Sequence, residues 1–208
     1  DPGGHKVYTT LIAELSSVLP IGKLKHIFYS HQDPDIIAAA NGWLMVTEAD
    51  AYLSAIWMRF ISHFGVDDII LKRIKPIPDE GMVLKLGDSE LKFIPAPYLH
   101  SSGNFQVYDP VSKILYTGDL GASLGHGYDV VEDFDAHIQY MEGFHQRYIP
   151  SSNVLKMWAN TVRSLDIDII APQHGAIFPN KEMVNQFINW IDGLQCGIDL
   201  LGDSFPIP

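Results

Sequence analysis

Six side chains of metal-ligating type fall at four places along the chain. His31, Asp33 and Asp35 lie in "HQDPD", His100 in "YLHSS", Asp119 in "TGDLG" and His174 in "PQHGA". Imidazole nitrogen and carboxylate oxygen suit iron, manganese or zinc, and two such ions about 3.5–4 Å apart can hold and polarise a small molecule. Each place also has an ordinary reading. Asp33 before Pro34 is a good N-cap and first helical residue, with Asp35 in the first turn, where the helix dipole favours a carboxylate. His100, Asp119 and His174 each stand beside glycine or serine and read as turn residues. Taken singly, these readings are the stronger ones.

Taken together, the residues share a further property. "HIFYS" precedes His31, "LKFIPAPYL" precedes His100, "KILYTG" precedes Asp119 and "DIDIIAPQ" precedes His174. Every group therefore stands where an apolar strand meets its loop, the place where a rigid scaffold presents functional side chains. That coincidence favours a metal site. In extended backbone, His31 and Asp35 would be about 13 Å apart, so a shared binuclear centre requires the segment to curl. Pro34 at a helix start supplies the curl. His31 and Asp33 could then face one metal and Asp35 the other, His100 and His174 would add one nitrogen to each, and Asp119 could bridge the pair. Three carboxylates around two divalent ions leave about one positive charge.

The elements that must position these groups follow from periodicity. Residues 5–18 have Val7, Leu11, Ile12, Leu15 and Val18 near helical spacing. "LKHIFYS" reads as a strand, residues 36–46 as a buried helix, and "AIWMRFISHFG" as a helix ended by Gly65. The middle changes character: "DIILKRI", "MVLKL", "ELKFIPAP", "NFQVYD" and "KILYTGD" are short runs between turn residues and read as antiparallel strands and hairpins. Helices are expected over 134–147 and 151–165, a last strand at "DIDIIAPQ", and a last helix over 180–195. Helices mixed with a hairpin-rich middle indicate a layered α/β (α+β) class.

The whole chain has 208 residues, a net charge of −11 and no basic block. It is expected to be a single domain over 1–208; "DPGG" reads as a turn, so either the chain begins on a turn or an earlier segment precedes it outside this sequence. Nucleic acid and anionic membranes are not expected partners. One cysteine, Cys196, leaves no disulfide framework or thiolate cluster, which suits a reducing cytoplasm. No apolar run is long enough for a transmembrane helix.

The order H-x-[E/D]-x-D, then His, Asp and His, resembles the metallo-β-lactamase superfamily. An acid at position 33 in place of the superfamily's usual second histidine resembles its flavodiiron branch. "YLHSSGN", "ILYTGDLGAS", "DFDAHIQYMEGFHQRYIPSSNVLKMW" and "IDIIAPQHGAIF" also resemble that branch. The resemblance implies an αββα sandwich with a non-haem diiron centre. His31, Asp33 and His100 would ligate one iron, Asp35 and His174 the second, and Asp119 would bridge. Two departures stand out: Asp33 is shorter than the branch's glutamate, and Ile36 replaces its next histidine. His126 and His145 are the candidates to replace that ligand, His126 reading more readily as a loop residue. His5, His26, His63 and His137 read as structural or surface residues. No flavin phosphate loop is seen, so the chain resembles the stand-alone oxygen-binding diiron proteins of the branch. The expected function is binding of O2, or NO, at a diferrous centre. It would be coupled to reduction through a separate redox partner, or to sensing through a signalling partner, in a homodimer. Zinc or manganese, and a dizinc hydrolase, are the alternatives. Tyr98, Trp57 and Tyr148 are candidate pocket aromatics, Trp57 reading more readily as core.

Overall fold

A computed structural model describes residues 1–205 and 207. The chain forms two compact units: Asp1–Met82 with Phe93–Pro95 and Gly103–Phe105, and Val83–Lys92 with Ala96–Ser102 and Gln106–Pro208.

The first unit contains α1 (His5–Val18), β1 (His26–Phe28), α2 (Pro34–Ile37), α3 (Ala40–Val46), β2 (Asp50–Ser54), α4 (Asp68–Leu71) and β3 (Ile74–Ile77). Its sheet has the order β1-β2-β3, with both pairs parallel. This replaces the expected strand at "DIILKRI": the segment is α4, then two residues, then β3. The single buried helix expected over 36–46 is divided into α2 and α3 between Ile37 and Ala40. Residues Ala55–Phe64 form a 3-10 helix, which ends as expected at Gly65 in the left-handed region, φ 72°.

The apolar residues of these elements close one core. Ile36, Ile37, Trp43, Leu44, Ala51 and Leu53 are buried in it, and Tyr8, Leu11, Ile12, Leu15 and Trp57 pack against it. The Tyr8 ring meets Trp43 edge-on at 5.3 Å. Gly42 permits this approach, because a Cβ there would lie 2.9 Å from Tyr8 Cζ. Arg73 donates to the carbonyl oxygens of Leu44, Thr47 and Ala49, satisfying groups left over at the end of α3.

Most of the second sheet lies in the second unit: β4 (Met82–Leu86), β5 (Ser89–Pro95), β6 (Phe105–Asp109), β7 (Ile114–Tyr116) and β8 (Ile169–Ala171), in that spatial order. β6 and β7 are antiparallel, whereas β7 and β8 are parallel. The helices are α5 (Phe134–Tyr148), α6 (Ser152–Val162) and α7 (Lys181–Gly193), close to the spans expected from the sequence. Leu155, Ala159, Val162, Phe178, Phe187 and Ile191 are fully buried, with Phe178 and Phe187 stacked at 4.5 Å. Among the described residues no helix is long and apolar enough to cross a membrane.

Candidate metal centre

In the first unit, β1 delivers His31. The Ser30 backbone N–H donates to Asp1 Oδ1 at 2.6 Å, and Phe105 N donates to Ser30 O at 2.9 Å, so the residue before His31 is held from two sides. Ser30 Oγ lies 2.8 Å from His31 Nδ1 and orients the ring, the usual support for an imidazole that binds through its other nitrogen. His31 is buried, and its Nε2 lies 3.7 Å from Asp33 Oδ2.

Asp33 answers the choice between cap and ligand. Its backbone is the N-cap of α2, with Pro34 at the helix start, and its carbonyl accepts from Ile36 N and Ile37 N. Its carboxylate makes no cap hydrogen bond. Instead it accepts from Gln32 Nε2 at 2.9 Å and faces His31. The side chain is therefore not spent on the helix. Asp35 follows in the exposed first turn of α2. The "DPGG" segment packs beneath this turn: a Cβ on Gly4 would lie 2.7 Å from Pro34 O. Ile36 is fully buried in the first unit's core, so the position that departs from the branch is apolar here.

In the second unit, the parallel pairing of β7 and β8 does the positioning. Tyr116 is registered with Ala171, and Asp119 and His174 each stand three residues beyond. Thr117 N donates to Ala171 O, and Gln173 N to Gly118 O at 2.7 Å, which ties the two strand exits together. Gly118 supplies the positive φ, 59°, of the turn. Thr117 is braced from behind: Trp158 Nε1 donates to Gln106 Oε1 at 2.8 Å, and Gln106 Nε2 donates to Thr117 O at 3.2 Å.

The buried carboxylate of Asp119 thus meets two imidazoles. Its Oδ2 lies 3.0 Å from His100 Nε2, and its Oδ1 lies 3.7 Å from His174 Nε2. His100 follows a cis Leu99–His100 peptide, and the rings of Phe144 and Tyr148 flank it at 6.0 and 5.7 Å. Of the candidate pocket aromatics, Tyr148 lies beside the His100 ring, and Trp57 packs against the first unit's core.

The structure therefore brings together His31 with Asp33, and His100 with Asp119 and His174. The donors are nitrogen and oxygen with no thiolate, a set that fits iron and also accepts manganese or zinc. One carboxylate offering separate oxygens to two imidazole partners is the arrangement a bridging ligand needs. Of the two candidates for the missing histidine, His145 is fully engaged: its Nε2 accepts from Gly121 N at 2.9 Å and its Nδ1 donates to Met141 O at 2.8 Å. His126 lies 2.9 Å from Ser123 Oγ through Nε2. His137, read from the sequence as structural or surface, is fully buried.

A family model described as ODP family beta lactamase matches residues 1–175. The chain belongs to this family. Its fold is the layered α/β, metallo-β-lactamase-like one expected from the sequence. Among solved structures, this ODP-family chain is similar to the peroxy diiron species of the chemotaxis sensor ODP. The TM-score is 0.88 and the identity 43%, covering 96% of this chain and 82% of that one. It is 32% identical over 197 residues to the uncharacterized protein MJ0732 of Methanocaldococcus jannaschii, covering 90% of this chain and 47% of the relative. It is 25% identical over 194 residues to a nitric oxide reductase of Moorella thermoacetica, covering 88% and 47%. The ODP-family chain spans about half the length of these two curated relatives.

Proposed function

We propose that the chain is a non-haem diiron protein that binds O2, and NO as a second ligand, and reports gas binding to a signalling partner. His31, Asp33 and His100 would hold one iron and Asp35 and His174 the other, with Asp119 shared between them. The observation that carries the reading is the Asp119 carboxylate, which offers one oxygen to the His100 side and the other to the His174 side. The ODP likeness, to a chemotaxis sensor with a diiron centre, supports iron over zinc. The nitric oxide reductase likeness supports NO as the second ligand.

Held by these residues, a ferrous pair would supply electrons to a diatomic ligand. The chain's own residues do the rest. Ser30 orients the His31 ring, Gln32 donates to one oxygen of Asp33, and Thr117 Oγ1, donating to Leu120 O, closes the turn that carries Asp119. The rings of Phe144 and Tyr148 limit water around His100. We place the protein in the cytoplasm as a homodimer, with electrons for any turnover coming from a separate redox partner.

The test is metal content and gas kinetics on protein purified without air from iron-replete cells. Two irons per chain are expected, with one stoichiometric optical change on mixing with O2 that persists when excess reductant is present. Sustained O2 uptake would convert the sensor reading into a reductase one. Two zinc ions per chain in place of iron would overturn both and favour a hydrolase.

A further inference from the structure

We propose that His126 and His137 form a separate site for one divalent transition-metal ion of the zinc type. Neither residue belongs to the six described above, and the inference does not rest on the iron reading.

His126 lies in the exposed loop after Ser123, and His137 lies in the first turns of α5, where it is fully buried. Their ring centres are 5.2 Å apart, with planes inclined at 66°. Two imidazoles on one tetrahedral zinc, with nitrogens about 2.0–2.1 Å from the ion, have ring centres about 5 Å apart.

The hydrogen bonding points the same way. On each ring one nitrogen is tied to a hydroxyl: His126 Nε2 to Ser123 Oγ at 2.9 Å, and His137 Nδ1 to Tyr128 Oη at 2.8 Å. Ser123 Oγ is itself fixed by Ala176 N, which donates to it at 3.2 Å. On each ring the other nitrogen, His126 Nδ1 and His137 Nε2, is buried and has no hydrogen-bond partner among the described residues. A buried polar atom left unpartnered costs about 1–3 kcal/mol. Two such atoms on adjacent rings, each ring oriented through its second nitrogen, form the pattern of metal-bound imidazoles supported from behind.

The surroundings suit an ion. Tyr128 stacks on His126 at 4.4 Å, and Tyr140 stands against both rings at 5.5 and 6.0 Å, which limits their rotation. Burial and the neighbouring imidazole lower the pKa of His137 to about 4, so its lone pair is available at neutral pH. Gly125 and Gly127 flank His126, and a Cβ on either would meet nothing within 4 Å.

The experiment uses iron-loaded protein titrated with zinc chloride, reading zinc and iron per chain after gel filtration and the zinc-edge X-ray absorption spectrum. One zinc per chain is expected in excess of that held by His126→Gln, with iron unchanged and two imidazole nitrogens around the zinc. Taking the difference cancels any zinc that enters the six-residue set. His126→Gln alters a part-exposed loop residue and leaves the fold intact, and Tyr128→Phe keeps the ring packing while weakening zinc binding about tenfold or more. Zinc held equally by wild type and His126→Gln, an adventitious ion only, would overturn the proposal. A spectrum lacking imidazole ligands would do so as well.

Discussion

Asp119 Oδ2 lies 3.0 Å from His100 Nε2, although the two residues are 19 apart in the chain. The other oxygen of the same carboxylate faces His174. Replacing Asp119 by Asn keeps the size of the side chain but removes the charge and one of the two acceptor oxygens. Asp119→Asn should therefore lower iron content at both positions. Asp33→Asn alters a carboxylate that faces His31 and is assigned to one iron alone, so it should spare the second. Iron per chain after anaerobic loading measures the difference; equal retention in the two variants would remove Asp119 from the bridging role.

Gly175 follows His174 with φ +92°, and a Cβ there would lie 2.0 Å from Ser123 Oγ and 2.6 Å from Ser123 O. One of these atoms is backbone, so the clash is not relieved by a rotamer change. Gly175→Ala should destabilise the protein by about 2 kcal/mol or more. The urea midpoint would fall accordingly, and Ser123→Ala introduced together with it should not restore the loss. Full recovery in the double variant would place the strain in the hydroxyl alone.

Acid should weaken the fold through His145. Gly121 N–H donates to Nε2, so the ring proton is on Nδ1, where it serves Met141 O. Protonating Nε2 would set one N–H against another. Burial accordingly lowers the pKa to about 4 from 6.5. Between those values the unfolded chain binds a proton that the folded chain does not, so stability is full above about pH 6.5 and falls as pH drops toward 4. The loss attributable to this residue is about 3 kcal/mol. Denaturant unfolding at pH 7.5 and pH 4.5 would show it, with a smaller difference expected in His145→Gln. An equal difference in the variant would assign the acid sensitivity to other groups.

The ligand-type residues were legible because their positions carry the signal: each stands just past an apolar run, and β1, β7 and β8 do end before them. α1 coincides with its expected span because one apolar stripe repeats through it. β2, "DAYLS", gave no alternation, since four of its five residues are buried, as in a strand covered on both faces. "DIILKRI" misled because its first four residues form α4, with Ile70 buried and Ile69 exposed, and only its last residue, Ile74, enters β3. Parallel pairing of β7 with β8 joins residues 55 apart, Ile114 to Ile169, which no local pattern encodes. His137 was missed as a candidate because it lies within α5, away from any strand end.

The brace from Trp158 through Gln106 to Thr117 also sets an order in time. The strand that carries Gln106 leaves the ribosome well before α6, yet its amide is not locked until Trp158 arrives, 52 residues later. His174 comes later still. On a nascent chain the acidic turn at Asp119 is therefore built early but rigidified late, so filling of the proposed metal centre belongs after Trp158 and His174 have been made and not before.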